Sequence, residues 1–237
     1  MDRYALFLTA AYFVGAVVFY LLAKRDGRNS KDIIDLLWVM ILSALLGSKL
    51  FHVFFEAKGH WLPSGVQATG VWDLLKEDPW HWARFFDPGY VFYGGLIVSF
   101  GVTWLFIKHA RIERIWALAD NVAPALAFGL GVGRIGCYVG GCCYGFVGAY
   151  PVQWVESAFG FVAFGLMLLF YKKKRFDGEI FCLFLMSYAL FRGVIEFFRA
   201  DEDRGLWLLG LSTSQLISML VFVIVTLRLW KASKELR

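Results

Sequence analysis

With 59% hydrophobic residues, 19% aromatic and only 18% charged among 237 residues, the chain has too little polar surface to coat a water-soluble domain, and it reads as an integral membrane protein. No ten-residue alternation of apolar and polar positions marks an outer-membrane barrel, which leaves helices as the spanning element. The formal net charge of +5 sits in basic clusters at the ends of apolar runs, where it anchors helices to a membrane surface, so it implies no nucleic-acid partner.

About 20 apolar residues cross about 30 Å of hydrocarbon. Runs of that kind lie at 4–23, 33–55, 91–107, 115–132, 157–171, 180–198 and 216–230, which predicts an all-α, polytopic protein of about seven transmembrane helices in one transmembrane domain, 1–237. The first run precedes its basic cluster and is long enough to span, so it reads as a retained helix rather than a cleaved signal. Lys24, Arg25, Arg28 and Lys31 follow it; Lys108, Arg111 and Arg114 follow the third run, Lys172 to Arg175 the fifth, and Lys231, Lys234 and Arg237 the last. These connections are expected in the cytoplasm. The stretches 56–90, 133–156 and 199–215 then lie outside, carrying acids such as Glu56, Asp73, Glu77, Asp78, Asp201, Glu202 and Asp203, with the amino terminus outside and the carboxyl terminus cytoplasmic. Trp61, Trp72, Trp80, Trp82, Phe85 and Phe86 mark 56–90 as an arm-like loop lying at the membrane interface.

Polar residues inside such a chain are the candidates for chemistry. On the second run, Lys49 and His52 stand three residues apart and can either line a cavity or reach for water. Tyr93 precedes Gly94 and Gly95 where the third run enters from outside; the paired glycines permit close approach. Tyr93 can donate a hydrogen bond, act as a base beside arginines, or serve as an interfacial anchor. Asp120, on the fourth run, can hold an arginine in place.

The segment GVGRIGCYVGGCCYG, 131–145, puts Arg134 among glycines and cysteines at the end of an apolar run. A guanidinium there calls for an anion, and Gly136, Gly140, Gly141 and Gly145 leave room for a head group near backbone N–H groups. Small residues spaced by four also pack transmembrane helices, which is the alternative use of these glycines. Cys137, Cys142 and Cys143 fall on the outer side, where disulfides can form, while Cys182 lies inside an apolar run. No histidine stands nearby at zinc-like spacing, and no nucleotide or flavin motif occurs, so neither metal nor cofactor is expected.

In FRGVIEFFR, Arg192, Glu196 and Arg199 share one helical stripe at i, i+4 and i+7. One acid cannot neutralise two guanidiniums, so the stripe keeps positive charge suited to a phosphate, which guanidinium binds through two parallel hydrogen bonds. An Arg192–Glu196 structural pair, with Arg199 reaching for the interface, is the other reading.

Taken together, LGSKLFHVFFE, VFYGGL, ADNVAPALAFGLGVGRIG with its glycine-rich tail to Gly145, YPVQWVES, FRGVIEFFR and STSQLIS, in that order along seven runs, resemble the prolipoprotein diacylglyceryl transferases of the bacterial inner membrane. The resemblance implies that Arg134 binds the phosphate of phosphatidylglycerol and that Arg192 is needed for activity. Asp120, Gly145, Gln153, Glu196 and Arg199 also fall on family positions. The chain departs from the usual pattern at Tyr93, where a histidine is usual, at Cys137 and Gly140, where asparagines are, and at Cys142, where a glutamate is. Lys49 replaces an arginine and Leu8 a tyrosine.

The implied reaction moves diacylglyceryl from phosphatidylglycerol to the lipobox cysteine thiol of a prolipoprotein signal peptide, forming a thioether and releasing glycerol phosphate. It needs positive charge on the departing phosphate and removal of the thiol proton. Arg134, Arg192, Glu196 and Tyr93 are the expected catalytic residues. Arg134, Lys49, Gly94, Gly95, Asp120, Cys137, Gly145, Gln153 and Arg199 are the expected substrate-binding ones. The site is expected toward the extracytoplasmic leaflet of the bacterial cytoplasmic membrane. A transporter or scramblase of an anionic lipid or solute, a paralogous lipid transferase with another acceptor, and a thiol-redox protein using Cys137, Cys142 and Cys143 are the other readings of the same residues.

Overall fold

A computed structural model describes residues 2–55, 91–141, 145, 151–198 and 212–235. The expected outer arm, 56–90, and most of the loop 199–215 lie outside them, as do Cys142, Cys143 and Arg199. Among the described residues the protein is all-helical, with seven α-helices: α1 Asp2–Arg25, α2 Ser30–Phe55, α3 Phe92–His109, α4 Ile115–Val139, α5 Val152–Phe170, α6 Glu179–Ile195 and α7 Thr213–Glu235. Among the described residues six helices are long and apolar enough to cross a membrane, where seven spans are expected from sequence. The third expected span is met by α3, whose 18 residues make about 27 Å, at the short edge of what hydrocarbon requires. Large apolar side chains stay uncovered on these helices, among them Phe13, Phe100, Leu169 and Leu220, as expected of surfaces solvated by lipid.

Two helices run further than hydropathy indicates. The expected loop 133–156 gives way at both ends, because α4 continues through its glycines to Val139 and α5 begins at Val152. In an apolar solvent the intrahelical hydrogen bond is the cheapest partner for each peptide group, so glycine interrupts a helix less readily than in water. Helix α4 stops where the Gly140 N–H bonds the Gly136 carbonyl at 2.8 Å and Gly141 takes φ +69°, a left-handed conformation that suits glycine. Arg134, Cys137, Gln153 and Glu156 are therefore helical residues rather than loop residues.

The chain divides into two units. In the first, residues 1–27 and 114–237, α4 packs against α1, α5 and α6, and α6 packs against α7. Leu22, Ala123, Ala127, Met167, Tyr171, Ile180 and Phe184 form its core. The α4–α5 contact is nearly backbone to backbone. A Cβ on Gly160 would lie 2.6 Å from the Gly131 nitrogen and 2.8 Å from the Ala127 carbonyl oxygen, and the Ser157 hydroxyl donates to the Gly131 carbonyl at 2.8 Å. Gly160→Ala is expected to force the helices apart at a cost of about 1–3 kcal/mol, read as a lower thermal midpoint of the detergent-solubilised protein; an unchanged midpoint would contradict this packing.

The amino-terminal end of α4 is tied to α6 by charge. Asp120 is fully buried and accepts from the Gly178 N–H at 2.8 Å, the Phe181 N–H at 3.0 Å and Lys174 Nζ at 3.1 Å. Arg114 donates to both oxygens of Asp177 at 3.0 Å, and that hydrogen bonding, followed by Coulomb attraction, raises its guanidinium pKa further.

In the second unit, residues 28–113, α2 packs against α3. Gly47 and Gly94 stand back to back, since a Cβ on either would come within 2.7 Å of the other's carbonyl oxygen. A Cβ on Gly95 would run into the Ser48 hydroxyl. The Val91 N–H bonds the Ser48 carbonyl at 3.1 Å, and the Ser99 hydroxyl the Met40 carbonyl at 3.1 Å. The paired glycines are thus consumed by helix contact, the usual role of small residues between helices in lipid.

Candidate active site

Three helices of the first unit each bring charge to one place. Arg134 lies on the last two turns of α4, one turn past the glycine seam; Glu156 precedes Ser157 of the same seam on α5; Arg192 lies in the last turn of α6. The seam sets α4 and α5 close enough for Arg134 Nε to reach 3.1 Å from Glu156 Oε2. From the other side Arg192 Nη1 stands 3.6 Å from Glu156 Oε1, while its Nη2 is 2.7 Å from Glu196 Oε2 and donates to the Ser214 hydroxyl at 3.2 Å. The Glu156 and Glu196 side chains are 1% and 3% exposed, against 16% and 13% for Arg134 and Arg192. Such a cluster is held together because each charge would be expensive without the others, about 3–5 kcal/mol for a buried ion that loses its partner.

The start of α7 completes this end. Ser212 and Gln215 form a reciprocal cap: the Ser212 N–H bonds Gln215 Oε1 at 3.0 Å and the Gln215 N–H bonds the Ser212 hydroxyl at 3.2 Å. Gln215 Nε2 also reaches the carbonyl of Gly193, next to Arg192, at 3.5 Å. This fixes Ser214 beside the guanidinium. Gln153 is buried one turn before Glu156 on α5, Gly145 is buried at an isolated β-bridge, and Cys137 is half-buried three residues past Arg134.

The chain matches the family model for prolipoprotein diacylglyceryl transferase over residues 1–231. The chain belongs to the prolipoprotein diacylglyceryl transferase family. It is 30% identical over 231 residues to the phosphatidylglycerol–prolipoprotein diacylglyceryl transferase of Aeromonas hydrophila subsp. hydrophila, covering 90% of this chain and 78% of that one. The protein of the same name from Aeromonas salmonicida is 32% identical over 229 residues, 89% of this chain and 78% of its own. A second such transferase of Clostridium perfringens is 28% identical over 241 residues, covering 93% and 86%.

Within this family member, Arg134, Arg192 and Glu196 come together, and Gln153 sits one turn from the carboxylate they surround. Asp120 does not join them. It lies fourteen residues before Arg134 on the same helix, about 21 Å along the axis, and holds Lys174 and two backbone amides rather than an arginine. Four expected site residues belong to the second unit: Lys49 is 4% exposed on α2, Tyr93 is 45% exposed in the first turn of α3, and Gly94 and Gly95 are buried against α2. Arg199 lies outside the described residues.

Glu156 is the residue that reading the sequence for arginines passes over. Its signal is present in YPVQWVES, where a lone acid opens a strongly apolar helix, and an acid placed so in lipid requires a cation.

Proposed function

We propose that this protein transfers the diacylglyceryl group of phosphatidylglycerol to the lipobox cysteine of a prolipoprotein, with Arg134 and Arg192 clamping the lipid phosphate. The observation that carries the reading is the convergence of two guanidiniums from separate helices on one enclosed position. A thiolate sulfur attacks the glycerol carbon; the carbon–oxygen bond to phosphate breaks; its electron pair leaves with glycerol phosphate. The thiol proton passes through a base of the protein and ends on the released phosphate or in water, so charge balances without any further reactant. Guanidiniums aimed at the departing phosphate, in surroundings that screen charge less than water, lower the barrier where negative charge grows. Glu196, beside Arg192, is the proton acceptor to test first.

The basic connections support a cytoplasmic carboxyl terminus, with the arginine end of the first unit toward the outer leaflet of a bacterial cytoplasmic membrane. Arg134 and Arg192 then meet phosphatidylglycerol at head-group depth, with its acyl chains beside the lipid-facing helices. The decisive experiment mixes purified protein, phosphatidylglycerol and a lipobox peptide in detergent. Thioether-linked peptide and free glycerol phosphate, in equal amounts, are expected. Phosphatidylglycerol binding without product would remove the transferase reading and leave a lipid carrier.

A further inference from the structure

The arginine site is not an open cationic pocket. Among the described residues its ion pairs join two guanidiniums to two carboxylates, so a phosphodiester monoanion arrives where each of these arginines already faces a carboxylate. The two acids stand differently. Glu196 is on the same chain segment as Arg192, four residues on, and travels with it. Glu156 comes from another helix, is 1% exposed, and turns one oxygen to each arginine, at 3.1 Å and 3.6 Å. The second of these distances is longer than a hydrogen bond, and among the described residues Arg192 Nη1 is buried without a hydrogen-bond partner. Its donor capacity is thus aimed at the position that Glu156 only partly fills.

Carboxylate and phosphodiester oxygens are equivalent acceptors for a guanidinium, differing mainly in reach and charge spread. We propose that Glu156 is an internal stand-in for the lipid phosphate. It keeps Arg134 and Arg192 converged while the site is empty, gives way when the phosphodiester binds, and returns to displace glycerol phosphate after transfer. Because the seam of Gly131, Gly160 and Ser157 locks α4 to α5, the exchange uses rotamers of Glu156 rather than movement of a helix. Glu156 acts through the arginines and is a positioning residue. This inference rests on the proposed binding of phosphatidylglycerol at the arginines.

The test uses the full chain in nanodiscs of zwitterionic lipid titrated with phosphatidylglycerol, and compares wild type with Glu156→Gln. The variant keeps the shape and hydrogen-bonding capacity of the side chain but no longer competes as an anion. Its affinity for phosphatidylglycerol is expected to rise about tenfold while kcat falls, because product is no longer pushed out. A residue that merely braced the fold would weaken binding and turnover together. Unchanged or weaker lipid binding by folded Glu156→Gln overturns the proposal. Should that variant fail to fold, Glu156→Asp takes its place: the shorter carboxylate competes less well, and about threefold tighter binding is expected, with equal or weaker binding counting against it. Wild type that binds the lipid but yields no thioether with a lipobox peptide sinks the transferase reading and leaves the exchange to be decided by the Gln comparison. Wild type that binds no phosphatidylglycerol sinks both.

Discussion

Arg134→Ala is expected to abolish lipidation of a reporter prolipoprotein, with turnover in the purified assay falling about a thousandfold or more, while the protein still inserts in the membrane. Arg134 carries one of two guanidiniums that meet at Glu156, and alanine leaves neither a donor nor a charge at that point. The fold should survive, because Arg192 remains beside Glu156 and spares it the ~3–5 kcal/mol penalty of a buried ion left alone. Arg134→Lys sharpens the test. Lysine keeps the charge but not the planar fork, so it should recover lipid binding better than turnover. Retained lipidation in Arg134→Ala cells would remove this arginine from the mechanism.

Asp120→Ala has the opposite signature. The carboxylate, itself fully buried, accepts from two amides at the start of α6 and from Lys174, so its loss strands both amides and takes from Lys174 its nearest carboxylate. A destabilisation of about 3–5 kcal/mol is expected, measured as a fall in the thermal midpoint in detergent, with phosphatidylglycerol affinity of the remaining folded protein unchanged. Lost lipid binding at full stability would instead return Asp120 to the substrate site.

Hydropathy alone locates the helices because lipid imposes one demand on every spanning residue. It says nothing of which face meets which neighbour, and the readings made from sequence divide along that line. Arg134 and Arg192 are conspicuous as cations in apolar surroundings, and the fold brings them to one carboxylate. Gly94 and Gly95 look like room for a head group, yet that room is taken by α2, a partner distant in sequence that no local pattern names. Asp120 looks available to an arginine, yet the fourteen residues to Arg134, counted at about 1.5 Å each, separate the two by more than one leaflet of hydrocarbon. Glu156 is overlooked for a related reason. Its helix starts five residues before the apolar stretch at 157 becomes recognisable, since Val152 to Glu156 mixes polar and apolar residues that hydropathy averages away.

The nearly bare seam between α4 and α5 has a mechanical consequence. With the Gly160 backbone set directly against those of Gly131 and Ala127, there is little to compress or slide there. A bilayer that thins or thickens with its acyl composition will therefore tilt the pair as one rod, and the interval from the Arg134 backbone to that of Glu156 is insulated from the length of the fatty chains around it.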